Sequence, residues 1–250
     1  MVTDALLRRR AAELGLGLDA IIREHALLET LAILANLDHN WVLRGGTALA
    51  YGYFGIHRLS EDLDLTAPAA PGDIDGLIET VAESLSDRLE LPMTPRPPAV
   101  PLPGPDLRRV ELAWANDHLI QIDFSWHEPT AQEPLERDLA KPYPGATGIQ
   151  FPMWTLDEMM ANKWFILDER SEPRDLFDLW FGLTNHLVEW ADLVGCHRDR
   201  YGFAPVFGNL SRPRLAERWT ERLGPQIRNL PTFDEVLREL RWHVRFEEGD

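Results

Sequence analysis

The spacing of apolar residues differs between the two parts of this chain. Up to residue 126, many apolar residues fall in short runs or alternate with polar ones, which predicts strands. The predicted strands are WVLR, DLDLTA, RRVELAWA and HLIQIDFSW, and the last two are expected to form a hairpin. From residue 154 onward, apolar residues recur every three to four positions, as on the buried face of a helix. The helices predicted there cover residues 154–169, 173–184, 187–200, 213–223 and 232–245.

Helices are also predicted among the strands. Apolar residues recur at helical spacing in residues 18–37 and again in residues 73–89. The stretch GGTALAYGYF, directly after the first strand, predicts a turn followed by a short helix. Residues 92–105 contain seven prolines, which predicts a loop without regular backbone hydrogen bonding.

Charge narrows the function classes. The 250 residues include 41 acidic and 25 basic ones, and the formal net charge of −16 argues against a general nucleic-acid binder. The basic residues are unevenly distributed, because ten arginines lie between residues 197 and 245 against six acidic residues. This region is predicted either to face an anion or to pair its arginines with nearby glutamates on solvated helix faces.

Cysteine content and hydropathy predict the compartment. The single cysteine, Cys196, rules out an intrachain disulfide and leaves no cysteine cluster for a metal. No run of about 18 apolar residues occurs, and no apolar run follows the N-terminal arginines. We therefore expect a soluble, cytoplasmic protein without a membrane partner.

Three carboxylates are predicted to form a cluster. Strand side chains alternate, so Asp62 and Asp64 share one face of their strand. In LIQIDFSW, Asp123 lies on the polar face, and it completes a cluster of three carboxylates if the two strands are neighbours. Like charges so close together need a cation, and hard oxygen ligands suit Mg²⁺ or Mn²⁺. This arrangement is typical of metal-assisted phosphoryl or nucleotidyl transfer.

A glycine turn supplies the second feature. Gly45 and Gly46 lie between a predicted strand and a helix, where the backbone can approach phosphate oxygens closely. Alone, such a turn more often reflects tight packing, and a lone Asp-x-Asp more often marks a surface turn. The combination of the glycines with three acidic residues favours a triphosphate site.

A lysine in an apolar stripe is the third feature. On the helix predicted at 154–169, Lys163 falls on the same face as Leu156, Met160 and Leu167. Only two of the 25 basic residues are lysines, and a compact ammonium at this position suits a triphosphate. The alternative is that Lys163 extends its ammonium to solvent.

These features together resemble a known family. The runs LRGGTALAYGYFGIHRLSEDLDL, IQIDF and NKWFILDERSEPRDLFDLW are similar to those of the AbiEii/MenT nucleotidyltransferase toxins, a branch of the DNA polymerase β-like nucleotidyltransferase superfamily. The resemblance covers about residues 18–185. It implies an α+β fold, with a polymerase β-like nucleotidyltransferase core and a small mixed sheet in residues 1–150. Residues 151–250 would then form a helical region that completes the active site.

The resemblance also implies a function. It is the Mg²⁺-dependent (or Mn²⁺-dependent) transfer of a nucleoside monophosphate from an NTP to the 3′ end of tRNA, which blocks translation until an antitoxin intervenes. One alternative is the same chemistry on an aminoglycoside antibiotic or a protein hydroxyl, and the acidic surface would suit a polycationic antibiotic better than tRNA. An alternative of another class is an inactive binding module.

Residue roles follow from the match. Asp62 and Asp64 are expected to hold the metal ions, and Asp123 to bind a second metal or deprotonate the attacking hydroxyl. The residues expected to bind the triphosphate are Gly45, Gly46, Thr47, Arg58 and Lys163. Gly46-Thr47 stands where the wider superfamily often has Gly-Ser, with a longer spacer before Asp62, and Thr47 still offers a hydroxyl.

The last motif carries one further expected role. The family match makes Lys163 a phosphate ligand and Asp175 a catalytic or lysine-orienting acid. Arg174 and Asp178 lie four residues apart and are expected to be structural, as an ordinary surface pair. Ser171 is expected to cap the helix that begins near Pro173.

Regulation and acceptor binding are predicted at two further places. A kinase-like antitoxin is hypothesised to silence the enzyme by phosphorylating Ser60, and the alternative is a serine that only shapes the turn. The arginines predicted to contact tRNA are Arg212, Arg214, Arg218 and Arg222.

Overall fold

The computed structural model describes residues 2–37, 40–70, 72–98, 104, 106–114, 118–126, 130–144, 146, 148–206 and 212–245. Residues 118, 168, 212 and 245 are described by their backbone only. The chain divides into two compact units. The first unit comprises Met1–Thr130 and Pro134–Met153, and the second comprises Ala131–Glu133 and Trp154–Asp250.

Within the described residues, the strands of the first unit form one seven-stranded mixed sheet. They are β1 (Val42–Arg44), β2 (Asp62–Ala67), β3 (Thr94–Arg96), β4 (Leu107–Trp114), β5 (His118–Trp126), β6 (Leu135–Asp138) and β7 (Gln150–Met153). Their order across the sheet is β3-β4-β5-β2-β1-β7-β6. β2 pairs parallel with β5, and β1 parallel with β7, while the other neighbours are antiparallel. The expected α+β class with a mixed sheet is confirmed.

Helices occur in both units. Those of the first unit are α1 (Asp4–Leu14), α2 (Leu18–Leu34), α3 (Gly45–Thr47), a π-helix (Ala48–Tyr53) and α4 (Ile74–Leu89). Those of the second unit are α5 (Leu156–Arg170), α6 (Pro173–Thr184), α7 (Trp190–Tyr201), α8 (Arg212–Leu223) and α9 (Phe233–Arg245). In the described part of the chain, none of these helices is both long and apolar enough to cross a membrane.

The alternation predicted for β2 is confirmed. Leu63 and Leu65 are fully buried, whereas Asp62 and Asp64 are half-buried on the other face. The hairpin of β4 and β5 is also confirmed, and Ile122 of β5 is buried beside Leu63 in the register of the sheet. Apolar burial on one face therefore fixes which side chains of these strands remain available for chemistry.

The proline-rich segment differs from the prediction. Residues 92–105 were expected to lack regular hydrogen bonding, but β3 within them pairs antiparallel with β4, with Pro95 opposite Leu112. Residues 99–103 and 105 of this segment lie outside the described residues. β3 lies at the edge of the sheet, where a strand has a partner on one side only and a residue without an N–H is tolerated. Three further elements have no counterpart in the sequence prediction: α1, β6 and β7.

Candidate active site

The three predicted carboxylates lie on neighbouring strands of the first unit. β2 and β5 are parallel and adjacent, and the Cα partner of Asp64 is Asp123. Asp62 lies two residues before Asp64, on the same face of β2. The condition set by the sequence, that the two strands are neighbours, is therefore met. Three carboxylates share one face of the sheet.

The glycine turn packs directly against this face. Gly45 follows the last residue of β1 and has φ of +72°, a left-handed conformation that side chains rarely adopt. A Cβ atom on Gly45 would lie 2.1 Å from Asp64 Oδ2. Glycine is therefore required at this position for two reasons, backbone conformation and close approach to a carboxylate.

Gly45→Ala should lower both stability and activity. The left-handed conformation costs a non-glycine residue about 1–3 kcal/mol, and the new methyl group must also displace the Asp64 carboxylate. Gly195→Ala is the matched control, because no atom lies within 4 Å of its Cβ position inside α7 and the helix gains up to about 1 kcal/mol. Urea unfolding of both variants checks the prediction. Equal stability of Gly45→Ala and the wild type would contradict it.

The residues that follow Gly45 form a buried turn. A Cβ atom on Gly46 would lie 2.6 Å from Arg58 Nη2, so this guanidinium lies against the turn. Arg58 is only 3% exposed and donates from Nη1 to the carbonyl oxygen of Leu59 at 2.9 Å. The Thr47 and Ser60 hydroxyls are hydrogen-bonded to each other at 2.9 Å, and Thr47 donates to the carbonyl oxygen of Asp62 at 2.5 Å.

This geometry bears on two expectations. The Thr47 hydroxyl was expected to be available to the triphosphate, but its hydrogen bond to the Asp62 carbonyl oxygen links α3 to the start of β2. β2 begins at Asp62, so Ser60 precedes the strand, and its side chain is buried beside Thr47. A kinase would reach the Ser60 hydroxyl only if this turn opened.

Arg109 is a member of the site that sequence reasoning missed. It lies opposite Asp123 in the register of β4 and β5. Its Nε and Nη2 donate to the two oxygens of Asp123 at 2.6 and 2.5 Å. The hydrogen bond to Asp123 is the largest cause that raises the pKa of Arg109, and the charges of Asp64 and Asp62 add to it. The guanidinium therefore interacts electrostatically with all three carboxylates.

Two of the three carboxylates, Asp62 and Asp64, are suited to bind a divalent metal ion. In the described residues, no three histidine, cysteine, aspartate or glutamate side chains are arranged to hold a metal ion. Asp62 and Asp64 nevertheless present hard oxygen ligands on one face, and Mg²⁺ commonly uses one or two carboxylates together with substrate phosphates. Both oxygens of the third carboxylate, Asp123, are engaged by Arg109. The donor set therefore fits Mg²⁺ or Mn²⁺ at Asp62 and Asp64.

The helix after the glycine turn is anchored by a buried glutamate. It continues from α3 as a π-helix, a form that recurs at functional sites. Tyr51 of this π-helix donates to Glu24 Oε1 at 2.8 Å, and Tyr143 donates to Glu24 Oε2 at 2.6 Å. Arg10 neutralises Glu24 through two hydrogen bonds of 2.6 and 2.7 Å. Burial, followed by the charge of Glu24, raises the pKa of Tyr51 well above its ordinary value, which keeps this phenol a donor.

Lys163, in the second unit, lies between two buried carboxylates. Its Nζ is 2.8 Å from Asp175 Oδ1 and 2.9 Å from Asp178 Oδ2. Lys163 is 5% exposed, and the two aspartates are 1% and 0% exposed. The alternative that the ammonium extends to solvent is therefore wrong. The predicted need for an anion is met by the chain itself.

Asp175 is the centre of this cluster. Arg170 adds two hydrogen bonds to it, at 2.8 and 3.0 Å. Burial alone would raise the pKa of Asp175, but the charges of Lys163 and Arg170 outweigh it and hold this pKa below its ordinary value. Asp175 therefore remains an anion, hydrogen-bonded to Lys163 at 2.8 Å.

Two details of the last motif were not anticipated. Asp178 was expected on the surface beside Arg174, but it is buried and contacts Lys163 as closely as Asp175 does. Ser171 does not cap α6, because Glu172 is the N-cap residue and Ser171 ends α5 in a left-handed conformation with φ of +49°. Asp175 and Asp178 are three residues apart, which places them on one face of α6, where both reach Lys163. The spacing of four between Arg174 and Asp178 suggested a different pair.

The arginines of α8 divide into two groups. Arg218 and Arg222 both pair with Glu172, each at 3.1 Å, which confirms for these two the alternative of pairing with nearby glutamates. Arg174 also contacts Glu172, at 3.4 Å. Arg214 is exposed, and the side chain of Arg212 lies outside the described residues. Arg214 is therefore the described member of the predicted tRNA contact that most clearly faces solvent.

Comparisons with known proteins identify the family and the fold of the chain. The family described as "Nucleotidyl transferase AbiEii toxin, Type IV TA system" matches residues 26–239. Among solved structures, MenT4, a nucleotidyltransferase toxin from Mycobacterium tuberculosis, is similar with a TM-score of 0.72 and 18% identity, over 100% of this chain and 91% of that one. JHP933 from Helicobacter pylori is similar with a TM-score of 0.61 and 19% identity, over 92% of each chain.

At 18% and 19% identity, the two structural matches show a shared fold. The family match spans residues 26–239, which is most of the chain. No curated protein matches the sequence. Because the matched region contains the glycine turn, all three carboxylates and the lysine cluster, the chain belongs to the AbiEii nucleotidyltransferase toxin family.

Proposed function

We propose that this protein uses a divalent cation to transfer a nucleoside monophosphate from an NTP to the 3′ end of tRNA, and thereby blocks translation. One observation carries the chemistry: Asp64 and Asp123 are direct neighbours on parallel strands, with Asp62 on the same face. The tRNA acceptor is supported by family membership and by the surplus of arginines between residues 197 and 245. Membership of a toxin–antitoxin family implies an antitoxin as partner.

The residues of the first unit would divide the work as follows. Gly45 and Gly46 present a backbone without Cβ atoms to the triphosphate, and Arg58 supplies positive charge beside Gly46. Bound at Asp62 and Asp64, Mg²⁺ or Mn²⁺ would supply charge that stabilises the phosphates and the departing pyrophosphate. Asp123 would either add its oxygens to the metal ligands or accept the proton of the attacking 3′ hydroxyl.

For the second unit we propose the roles that the family motif implies. Lys163 would bind a phosphate of the NTP, and Asp175 would act as a catalytic or lysine-orienting acid. The contacts of Asp175 and Asp178 support orientation, because they hold the ammonium from two sides. A lysine fixed in this way loses little side-chain entropy when a phosphate binds.

An acceptor panel tests the proposal directly. The purified protein is mixed with Mg²⁺ and each of four α-labelled NTPs, together with total tRNA, aminoglycoside antibiotics or a protein extract. We expect label on tRNA only. Label on an antibiotic, which a net charge of −16 would favour, or on a protein would replace the acceptor. Label on none of them would favour the inactive binding module.

The arginines of α8 give a second prediction. Replacing Arg214 by glutamine should raise the KM for tRNA several-fold and leave the KM for NTP unchanged, because this contact would serve the acceptor backbone. Each lost phosphate contact should also lower the slope of log KM against log salt by about 0.9. Arg8→Gln, an exposed arginine of α1, is the control. Equal changes in both KM values would rule out this surface as the tRNA contact.

A further inference from the structure

Both oxygens of Asp123, the third carboxylate of the site, accept hydrogen bonds from Arg109. Two guanidinium nitrogens donate to two different carboxylate oxygens, and Gln121 Nε2 adds a contact of 3.3 Å to Oδ2. The pair is largely shielded, with side-chain exposures of 22% for Arg109 and 17% for Asp123. Such paired, charge-assisted hydrogen bonds are among the strongest in proteins. While this pair persists, Arg109 compensates the charge of Asp123, which makes Asp123 a weaker ligand for a metal ion.

The position of Arg109 makes it a competitor of a metal ion. In the register of the sheet, Arg109 lies beside Asp123, and Asp123 lies beside Asp64. A cation is thus already present at the edge of the carboxylate cluster. A divalent ion that binds an oxygen of Asp123 would lie beside a guanidinium hydrogen-bonded to the same carboxylate, and repulsion between the two cations favours displacement of the guanidinium.

We propose that Arg109 is a positioning residue that competes with the divalent metal for Asp123. Without metal, Arg109 holds the third carboxylate and offsets the repulsion among the three. A metal ion held by Asp62 and Asp64 would compete with the guanidinium for Asp123, and Asp123 would become a further ligand once Arg109 no longer holds it. This inference rests on the proposed metal-dependent function. It predicts that Arg109 lowers the affinity of the site for the metal ion.

Mn²⁺ binding measured by calorimetry without NTP tests this idea. Arg109→Gln should bind Mn²⁺ about threefold to tenfold more tightly than the wild type, because the competing cation is gone. Arg108→Gln is the matched control, since Arg108 is the preceding residue of β4 and pairs on the surface with Asp75. It should bind Mn²⁺ as the wild type does. In an Asp123→Asn background, Arg109→Gln should have no further effect.

The outcomes separate this inference from the proposed function. If Asp62→Asn loses Mn²⁺ binding while Arg109→Gln binds no more tightly than the wild type, the metal site stands and the competition is refuted. If the wild type and Asp62→Asn show the same Mn²⁺ binding, both ideas fail. Should Arg109→Gln not fold, Arg109→Met serves instead, because methionine is an uncharged, flexible side chain that also removes the competing cation. Arg109→Met should bind Mn²⁺ more tightly than the wild type, and unchanged binding would refute the competition.

Discussion

Asp62→Asn and Asp64→Asn should each abolish nucleotidyl transfer and leave the fold intact. Each substitution removes a negatively charged ligand from the face of β2, and charge stabilisation by a metal contributes several kcal/mol to such reactions. A loss of about 3 kcal/mol lowers the rate by about two orders of magnitude. The fold should survive, because asparagine has the shape of aspartate and the buried face is formed by Leu63 and Leu65.

Single-turnover transfer and thermal unfolding measure the two parts of this prediction. Asp75→Asn is the control, because Asp75 is an exposed acid of α4 that pairs with Arg108 on the surface. It should leave the rate unchanged and lower stability by no more than about 1 kcal/mol, because Asp75 lies in the first turn of α4. If Asp62→Asn or Asp64→Asn keeps near-normal transfer, the substituted aspartate is not a metal ligand.

Lys163→Arg should impair the enzyme although it keeps the charge. The ammonium contacts Asp175 and Asp178 at 2.8 and 2.9 Å in an almost fully buried position. A guanidinium is planar and wider, and it cannot place a single nitrogen between two carboxylates as an ammonium does. We expect nucleotide affinity to fall several-fold and transfer to fall by about tenfold or more, which corresponds to about 1.4 kcal/mol.

Two further variants make this result specific. Lys141→Arg is the matched control, since Lys141 is the other lysine of the chain and is exposed. Asp175→Asn should lose transfer but still bind nucleotide, because Lys163 remains paired with Asp178. If Lys163→Arg keeps full nucleotide affinity and full transfer, then Lys163 serves only to neutralise the two buried aspartates.

Local patterns were sufficient to predict the carboxylate face. Alternation in DLDLTA and LIQIDFSW assigns Leu63 and Ile122 to the core and the aspartates to the opposite face, because a strand has a period of two residues. The glycine turn was predictable for a similar reason, since few residues other than glycine adopt the conformation at position 45. These features depend on neighbours in sequence.

The remaining features depend on partners distant in sequence. The pairing of Arg109 with Asp123 requires the register of β4 and β5, which spacing within one strand does not define. Whether the proline-rich segment forms β3 depends on its edge position beside β4. The second partner of Lys163 could have been inferred from the spacing of Asp175 and Asp178, but an Asp178–Arg174 surface pair matched the same sequence.

The position of the label on RNA tests the central claim most directly. The enzyme is incubated with Mg²⁺ and NTP labelled at either the α or the γ phosphate, using intact tRNA and tRNA whose 3′ end has been oxidised with periodate. We predict that α label appears on intact tRNA, that γ label does not, and that oxidised tRNA stays unlabelled. Transfer of γ label, or equal labelling of intact and oxidised tRNA, would contradict nucleotidyl transfer to the 3′ hydroxyl.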